Sequence, residues 1–193
     1  MKYLSILIAA VFAHNIALRY FLGWCPLVSQ SKKLSSAWGM GVAVTLVMTI
    51  TSAINWPVYH YLLVPYGLEY LQYIAFIIVI ASTVQVLEMV IERFFPSLYT
   101  TMGVFLPLIT VNCAILGVSL FMILRDYTLF TGIIYALGSG IGWSVAIISL
   151  ASIREKLRFA DVPKPLQGPG ITMLIAGIMA FAFLGFSGMV GIQ

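Results

Sequence analysis

Charge is nearly missing from this sequence. Asp, Glu, Lys and Arg together make up 8% of its 193 residues, against roughly 25% in soluble domains. Mean hydropathy is +1.06, so a water-facing fold is excluded. No polar stretch is long enough to form a soluble nucleotide- or flavin-binding domain. Cysteine is equally scarce: Cys25 and Cys113 are the only two, which rules out a disulfide framework. They are also too few to hold an iron–sulfur cluster, which takes four ligands. The pI near 9.1 raises nucleic acid as a partner, but the basic residues are thinly spread along connecting segments, and a membrane topology explains them better. The start, Met1-Lys2-Tyr3, runs straight into apolar sequence with no small-residue cleavage site, so no cleaved signal is expected.

What is abundant is apolar sequence, 62% of the chain. A span needs about 20 mostly apolar residues, and six candidates emerge: Leu4–Trp24, Trp38–Leu62, Leu71–Ile91, Leu98–Leu124, Thr128–Ile153 and Ile171–Val190. Backbone in lipid must satisfy itself, so the expected fold is an all-α integral membrane bundle of six transmembrane helices in a single membrane domain over 1–193. Alternating spans put Lys32, Lys33, Arg93, Arg154, Lys156, Arg158 and Lys164 on one face and only Lys2 and Arg125 on the other. The positive-inside rule then places the first face in the cytoplasm and both termini on the non-cytoplasmic side.

Six spans divide into two sets of three, and an odd set inverts its successor. Ala37-Trp38-Gly39-Met40-Gly41 matches Ala136-Leu137-Gly138-Ser139-Gly140 at an offset of 99, and Asn15 and Ala17 match Asn112 and Ala114 at 97. These predict two inverted repeats, about 1–96 and 97–193. Gly39, Gly41, Gly138, Gly140 and Gly142 read as helix-contact glycines, since small residues let helices approach closely in lipid. They follow no strand, which argues against a phosphate loop.

Both cysteines stand near a helix-disturbing proline and a buried amide: Asn15 and Cys25-Pro26 in span one, Pro107, Thr110 and Asn112-Cys113 in span four. Breaks are expected at Gly23–Pro26 and at Pro107. Straight helices would leave Cys113 roughly 22 Å deep while Cys25 lay near the cytoplasmic end. A shared site therefore demands broken helices 1 and 4. From the residues alone, the two thiols are either inert buried cysteines or half of a metal site that a partner completes, thiolates being soft ligands for iron and copper. Glu88 in span three either coordinates a cation or relays protons, or it pairs with Arg19 or snorkels to the surface. Arg19 either stabilises charge near Cys25 or faces the interface or a partner. His14, lacking a second histidine one turn on, reads as a packing residue. His60 belongs to an aromatic belt with Tyr66, Tyr70 and Tyr73.

The segments Asn15-x-x-Leu18-x-x-Phe21-Leu22-Gly23-x-Cys25-Pro26, Ser31-Lys32-Lys33, Leu106-Pro107-Leu108-Ile109-Thr110-x-Asn112-Cys113-Ala114 and Gly185-Phe186-Ser187-Gly188 resemble the RnfA/NqrE family nearly end to end. Cys25-Pro26 and Ala160-Asp161-Val162-Pro163 are more similar to the RnfA type, and His14-Asn15-Ile16-Ala17-Leu18 to NqrE. The resemblance implies a six-helix subunit of an ion-pumping complex of the bacterial cytoplasmic membrane. It implies that Cys25 and Cys113 ligate an intramembrane [2Fe-2S] cluster, or a mononuclear iron, with two further cysteines from a homologous RnfE/NqrD-type subunit. Electrons would cross to subunits carrying flavin and iron–sulfur centres, linked in the Rnf case to ferredoxin and NAD and coupled to Na+ or H+ movement. Thr110, Asn15, Asn112, Arg19 and Glu88 are the supporting or coupling candidates. An inverted-repeat secondary transporter is the rival class.

Overall fold

The structure, a computed structural model, describes residues 2–94, 106–157 and 168–187. The start of span four at Leu98, the basic residues Arg158 and Lys164, the Ala160–Pro163 stretch and the end of span six beyond Ser187 lie outside the described residues.

All regular structure among the described residues is helical. Helix α1 (Lys2–Ile8) continues as a π-helical turn over Ala9–Ala13. Then come α2 (Trp24–Gln30), α3 (Leu34–Pro57, continuing as π-helix to Leu63), α4 (Gln72–Phe94), α5 (Leu106–Thr110), α6 (Cys113–Leu124), α7 (Leu129–Leu157) and α8 (Pro169–Ser187). Four stretches are long and apolar enough to cross a membrane: Leu34–Leu63, Glu69–Val90, Pro107–Leu124 and Leu129–Leu157. Tyr3–Ala13 and Pro169–Gly185 are shorter apolar helices. The first span expected over Leu4–Trp24, with its break only at Gly23–Pro26, is therefore corrected in extent: regular helix stops at Ala13 and resumes only at Trp24.

The core is the contact of α3 with α7, the most extensive helix contact among the described residues. Small residues make it tight. A Cβ added to Gly140 would meet the Cα of Thr45 at 2.8 Å, and one on Gly41 would meet Ser144 Oγ at 3.0 Å. The Thr45 hydroxyl donates to the Gly41 carbonyl at 2.8 Å and lies 3.0 Å from the Ser144 hydroxyl. Ser144 Oγ is in turn 2.9 Å from the carbonyls of both Gly41 and Gly140. The contact is reciprocal: Gly41 faces Ser144, and Gly140 faces Thr45. Thr45 and Ser144 stand 99 residues apart, as do Gly41 and Gly140, the offset legible in the sequence. Direct hydrogen bonds and close packing replace the hydrophobic drive that helices lack inside lipid.

The first segment packs along α7 in the same direction. Tyr3 meets Phe130 edge-on, with ring centroids 5.5 Å apart. Leu7 and Ala10 lie on Gly138, and Val11 and Asn15 on Gly142. Gly23 lies on Trp143. Arg154 then donates to the Val28 carbonyl at 2.9 Å and to Ser31 Oγ at 2.6 Å. From Phe130 to Arg154, α7 rises about 36 Å, more than the ~30 Å hydrocarbon layer. The Arg154 contacts also hold that end of α7 beside Lys32 and Lys33, and α4, running back from the end of α3, delivers Arg93 to the same end. At the opposite end Trp56 Nε1 donates to the Tyr127 carbonyl at 2.8 Å, and His60 stacks on Trp56.

Candidate functional site

Asparagines, more than prolines, set where the two segments break. Asn15 is buried, and its amide makes four hydrogen bonds. Oδ1 accepts from the N–H groups of Ala17 and Leu18 at 3.0 and 3.2 Å, while Nδ2 donates to Val11 O at 3.0 Å and Gly142 O at 2.8 Å. A side chain that captures nearby backbone groups offers an alternative to the helix, and the chain from His14 to Gly23 is irregular. In the second segment α5 ends at Thr110, and Asn112 Oδ1 caps α6 by accepting the Ala114 N–H at 3.0 Å. The expected break points shift accordingly. Pro26 and Pro107 both sit in the first turn of a helix, α2 and α5, where the missing N–H has no intrahelical partner to lose. The interruptions fall at His14–Gly23 and Val111–Asn112.

These breaks bring the cysteine-bearing segments together. Gly23 N–H donates to Cys113 Sγ at 2.9 Å, and Trp143 Nε1 donates to the Gly23 carbonyl at 3.3 Å. Gly23 has φ 76° and ψ 26°, a left-handed conformation that glycine adopts without a Cβ penalty. No other residue fits, because a Cβ there would stand 2.6 Å from Trp143 Nε1 and 3.0 Å from both Ala114 Cβ and Asn112 Oδ1. Cys25 follows two residues later, in the first turn of α2. Both thiols are free and exposed, although Pro26, Leu27, Ala114 and Ile115 beside them are buried. The expectation that the cysteines are buried is thereby corrected: both are exposed, as are Phe21 and Val111 near them in the chain.

Among the described residues no three His, Cys, Asp or Glu side chains converge into a metal-binding group. The Asn112 Nδ2 amide is buried with no hydrogen-bond partner, which is unusual for a group so costly to desolvate. Thr110 is half-buried at the last position of α5. Arg19 is exposed and donates to Ala13 O at 3.0 Å and to His14 Nδ1 at 3.3 Å, so His14 is half-buried and hydrogen-bonded through Nδ1. Glu88, half-buried on α4, forms no ion pair with Arg19, and that alternative is set aside. Sequence reasoning missed Trp143 and the conformational role of Gly23. The glycine directly before Trp-Cys-Pro was the available signal for the second; nothing marked Trp143 among the apolar residues of α7.

A family model described as "Rnf-Nqr subunit, membrane protein" matches residues 3–190. The chain belongs to the Rnf-Nqr family. Among curated relatives of this Rnf-Nqr protein are two named as the E-type subunit of Na(+)-translocating NADH-quinone reductase, from Hahella chejuensis and Serratia proteamaculans. Each is 50% identical, covering 97% of this chain and 97% and 98% of their own lengths. The Proteus mirabilis protein of the same name is 49% identical over the same share of the chain and 98% of its own length. These names favour the NqrE side of the RnfA/NqrE resemblance over the RnfA side that Cys25-Pro26 and Ala160–Pro163 suggested.

Proposed function

We propose that this Rnf-Nqr protein is the E-type membrane subunit of a sodium-translocating NADH–quinone reductase in a bacterial inner membrane. Its role is to hold one side of an electron-carrying centre. The observation that carries this reading is the Gly23 N–H···Sγ Cys113 hydrogen bond, which ties both interrupted segments together at the bundle surface. Two exposed thiols with one backbone donor and one unpartnered amide nearby fit half of an iron–sulfur site. Cys25 and Cys113 would hold a [2Fe-2S] cluster, or a single iron, together with two cysteines from a homologous D-type subunit. Such a centre, when bound, stores and passes single electrons. The chain's own residues fix the sulfurs, and the Gly23 N–H donates to one of them; hydrogen bonds to sulfur, and burial once a partner covers this surface, are the levers on potential. Other subunits of the complex supply nicotinamide and flavin chemistry.

The reading also includes six crossings in two inverted halves, with both termini on the non-cytoplasmic side. The co-directional run of the first segment along α7 supports a first crossing despite its break. The reciprocal contact at Gly41 and Gly140 supports the inverted repeat, as an isologous contact supports a two-fold axis. Cys25→Ser and Cys113→Ser, made singly in the assembled complex, test the proposal. Each is expected to abolish the iron–sulfur electron paramagnetic resonance signal of this centre and to stop NADH–quinone turnover. Normal turnover with unchanged iron would remove the redox role and favour a transporter or scaffold. Electron transfer from NADH to quinone, measured against ferredoxin–NAD activity, separates the Nqr reading from the Rnf one.

A further inference from the structure

A second site lies at the opposite end of the first break, where a cavity of about 420 Å³ opens between α1 and the start of α7. Its apolar wall is Ile6, Ala9 and Ala10, and its polar wall is His14, Arg125 and Tyr127. Every polar group on that wall is a hydrogen-bond donor. Arg125 Nη1 donates to Tyr127 Oη at 3.4 Å and Nη2 to Tyr20 Oη at 3.5 Å. The guanidinium carbon also lies 5.5 Å from the centroid of the Tyr135 ring, which also lines the cavity.

Arg19 can only donate, so His14 Nδ1 must accept from it, at 3.3 Å, and it then also accepts the Tyr20 hydroxyl at 3.4 Å. The proton of neutral His14 therefore sits on Nε2. Tyr127, accepting from Arg125, keeps its own O–H to donate. Ordinary N–H···O bonds are about 2.7–3.2 Å long, so Arg125 is a half-buried cation with only stretched bonds to neutral hydroxyls. Asp126, next to it in the chain, makes no ion pair with it, and no carboxylate among the described residues lines the cavity.

A guanidinium, an imidazole N–H and a phenol around a pocket with one apolar wall have no internal counter-charge. We propose that this cavity binds a phosphate oxyanion, with Arg125 as the charged anchor and Tyr127 and His14 as neutral donors. One guanidinium matches the single charge of a phosphodiester. The shared chemistry has two sources, a phospholipid headgroup or free phosphate, and the apolar wall of Ile6, Ala9 and Ala10 suits the first as well as the second. Charge-assisted bonds to such an oxyanion would shorten towards about 2.7–2.9 Å.

The test uses the full-length chain purified in a phosphate-free maltoside detergent. Native mass spectrometry counts phospholipid retained through delipidation, and thermal unfolding is followed with and without added inorganic phosphate. If the headgroup is the ligand, wild type retains about one phospholipid, Arg125→Gln loses it, and Arg125→Lys retains part. If free phosphate is the ligand, no lipid remains, but inorganic phosphate raises the wild-type melting temperature and leaves that of Arg125→Gln unmoved. In either case Arg125→Gln should weaken binding roughly 10- to 100-fold, as expected for a hydrogen bond to a charged group. Tyr127→Phe keeps the ring and removes one donor, which guards against misfolding of the arginine variants; it should weaken binding by a smaller factor. Equal lipid content and equal phosphate response in wild type, Arg125→Gln and Tyr127→Phe would overturn the proposal.

Discussion

Replacing Gly23 by alanine perturbs the point on which both cysteine-bearing segments meet. Holding alanine at φ 76° costs about 1–2 kcal/mol in backbone conformation. Its Cβ would press to 2.6 Å from Trp143 Nε1. Trp143 is fully buried and cannot swing aside, so overpacking adds about 1–3 kcal/mol. Displacing Gly23 also weakens its bonds to Cys113 Sγ and from Trp143 Nε1, at about 0.5–1.5 kcal/mol each. Together these come to about 3–8 kcal/mol, a large part of the roughly 5–15 kcal/mol by which most proteins hold their fold. Gly67→Ala is the matched control, because Gly67 has φ 64° but nothing within 4 Å of the added Cβ. It should lose only the backbone share, about 1–2 kcal/mol. The assay is reversible unfolding in mixed dodecyl sulfate–maltoside micelles, with the iron content of the assembled complex measured alongside. Gly23→Ala should lose stability and, if the proposed centre is present, iron as well. If it unfolds no more readily than Gly67→Ala and keeps its iron, the argument that this contact positions Cys113 is wrong.

The two asparagines should separate by readout. Asn15→Ala removes four hydrogen bonds and leaves the Gly142 carbonyl without its side-chain donor, for a loss of about 3–5 kcal/mol, whereas Asn112→Ala removes one capping bond at about 0.5–2 kcal/mol. On the proposed function, the spectrum of the shared iron centre in the complex should respond in the reverse order, Asn112→Ala shifting it more; an equal response would detach Asn112 from the sulfurs. Gly140→Val forces a branched side chain against the Thr45 backbone and should cost about 1–3 kcal/mol, read in the same micelle titration. A neutral result there would mean that α3 and α7 can separate freely.

How much of this was written in the sequence varies with the kind of interaction. Hydropathy marked the long helices α3, α4 and α7 closely, because a lipid-facing helix shows its length in composition alone. Gly41, Gly138, Gly140 and Gly142 were legible as contact points, and the 99-residue offset relates Gly41 to Gly140 and Thr45 to Ser144, the two halves of the reciprocal contact. Interruption of both cysteine-bearing segments was also legible, but its location was not. Proline is the loudest helix breaker, yet Pro26 and Pro107 each start a helix. The breaks belong to Asn15 and Asn112, whose amides compete with the backbone only in a fold that buries them. The pairing of Glu88 with Arg19 failed for a similar reason: distance along the sequence says nothing about which neighbour reaches an arginine first, and His14 together with the Ala13 carbonyl did. The cavity at Arg125 depends on residues from three separate stretches, and no local pattern could announce it.

The mutual fit of Gly41 with Ser144 and of Gly140 with Thr45 has a consequence for how this molecule can change. Two helices that each set a glycine against the other's hydroxyl residue clasp like a handshake, and each helix holds one half of two similar grips. A bulkier residue on either side must be answered on the opposite helix, so the two positions of each pair are bound to drift together or stay still. The centre of the bundle is therefore where single substitutions are least free. Novelty is left to the outer segments, where the thiols and the arginine cavity lie.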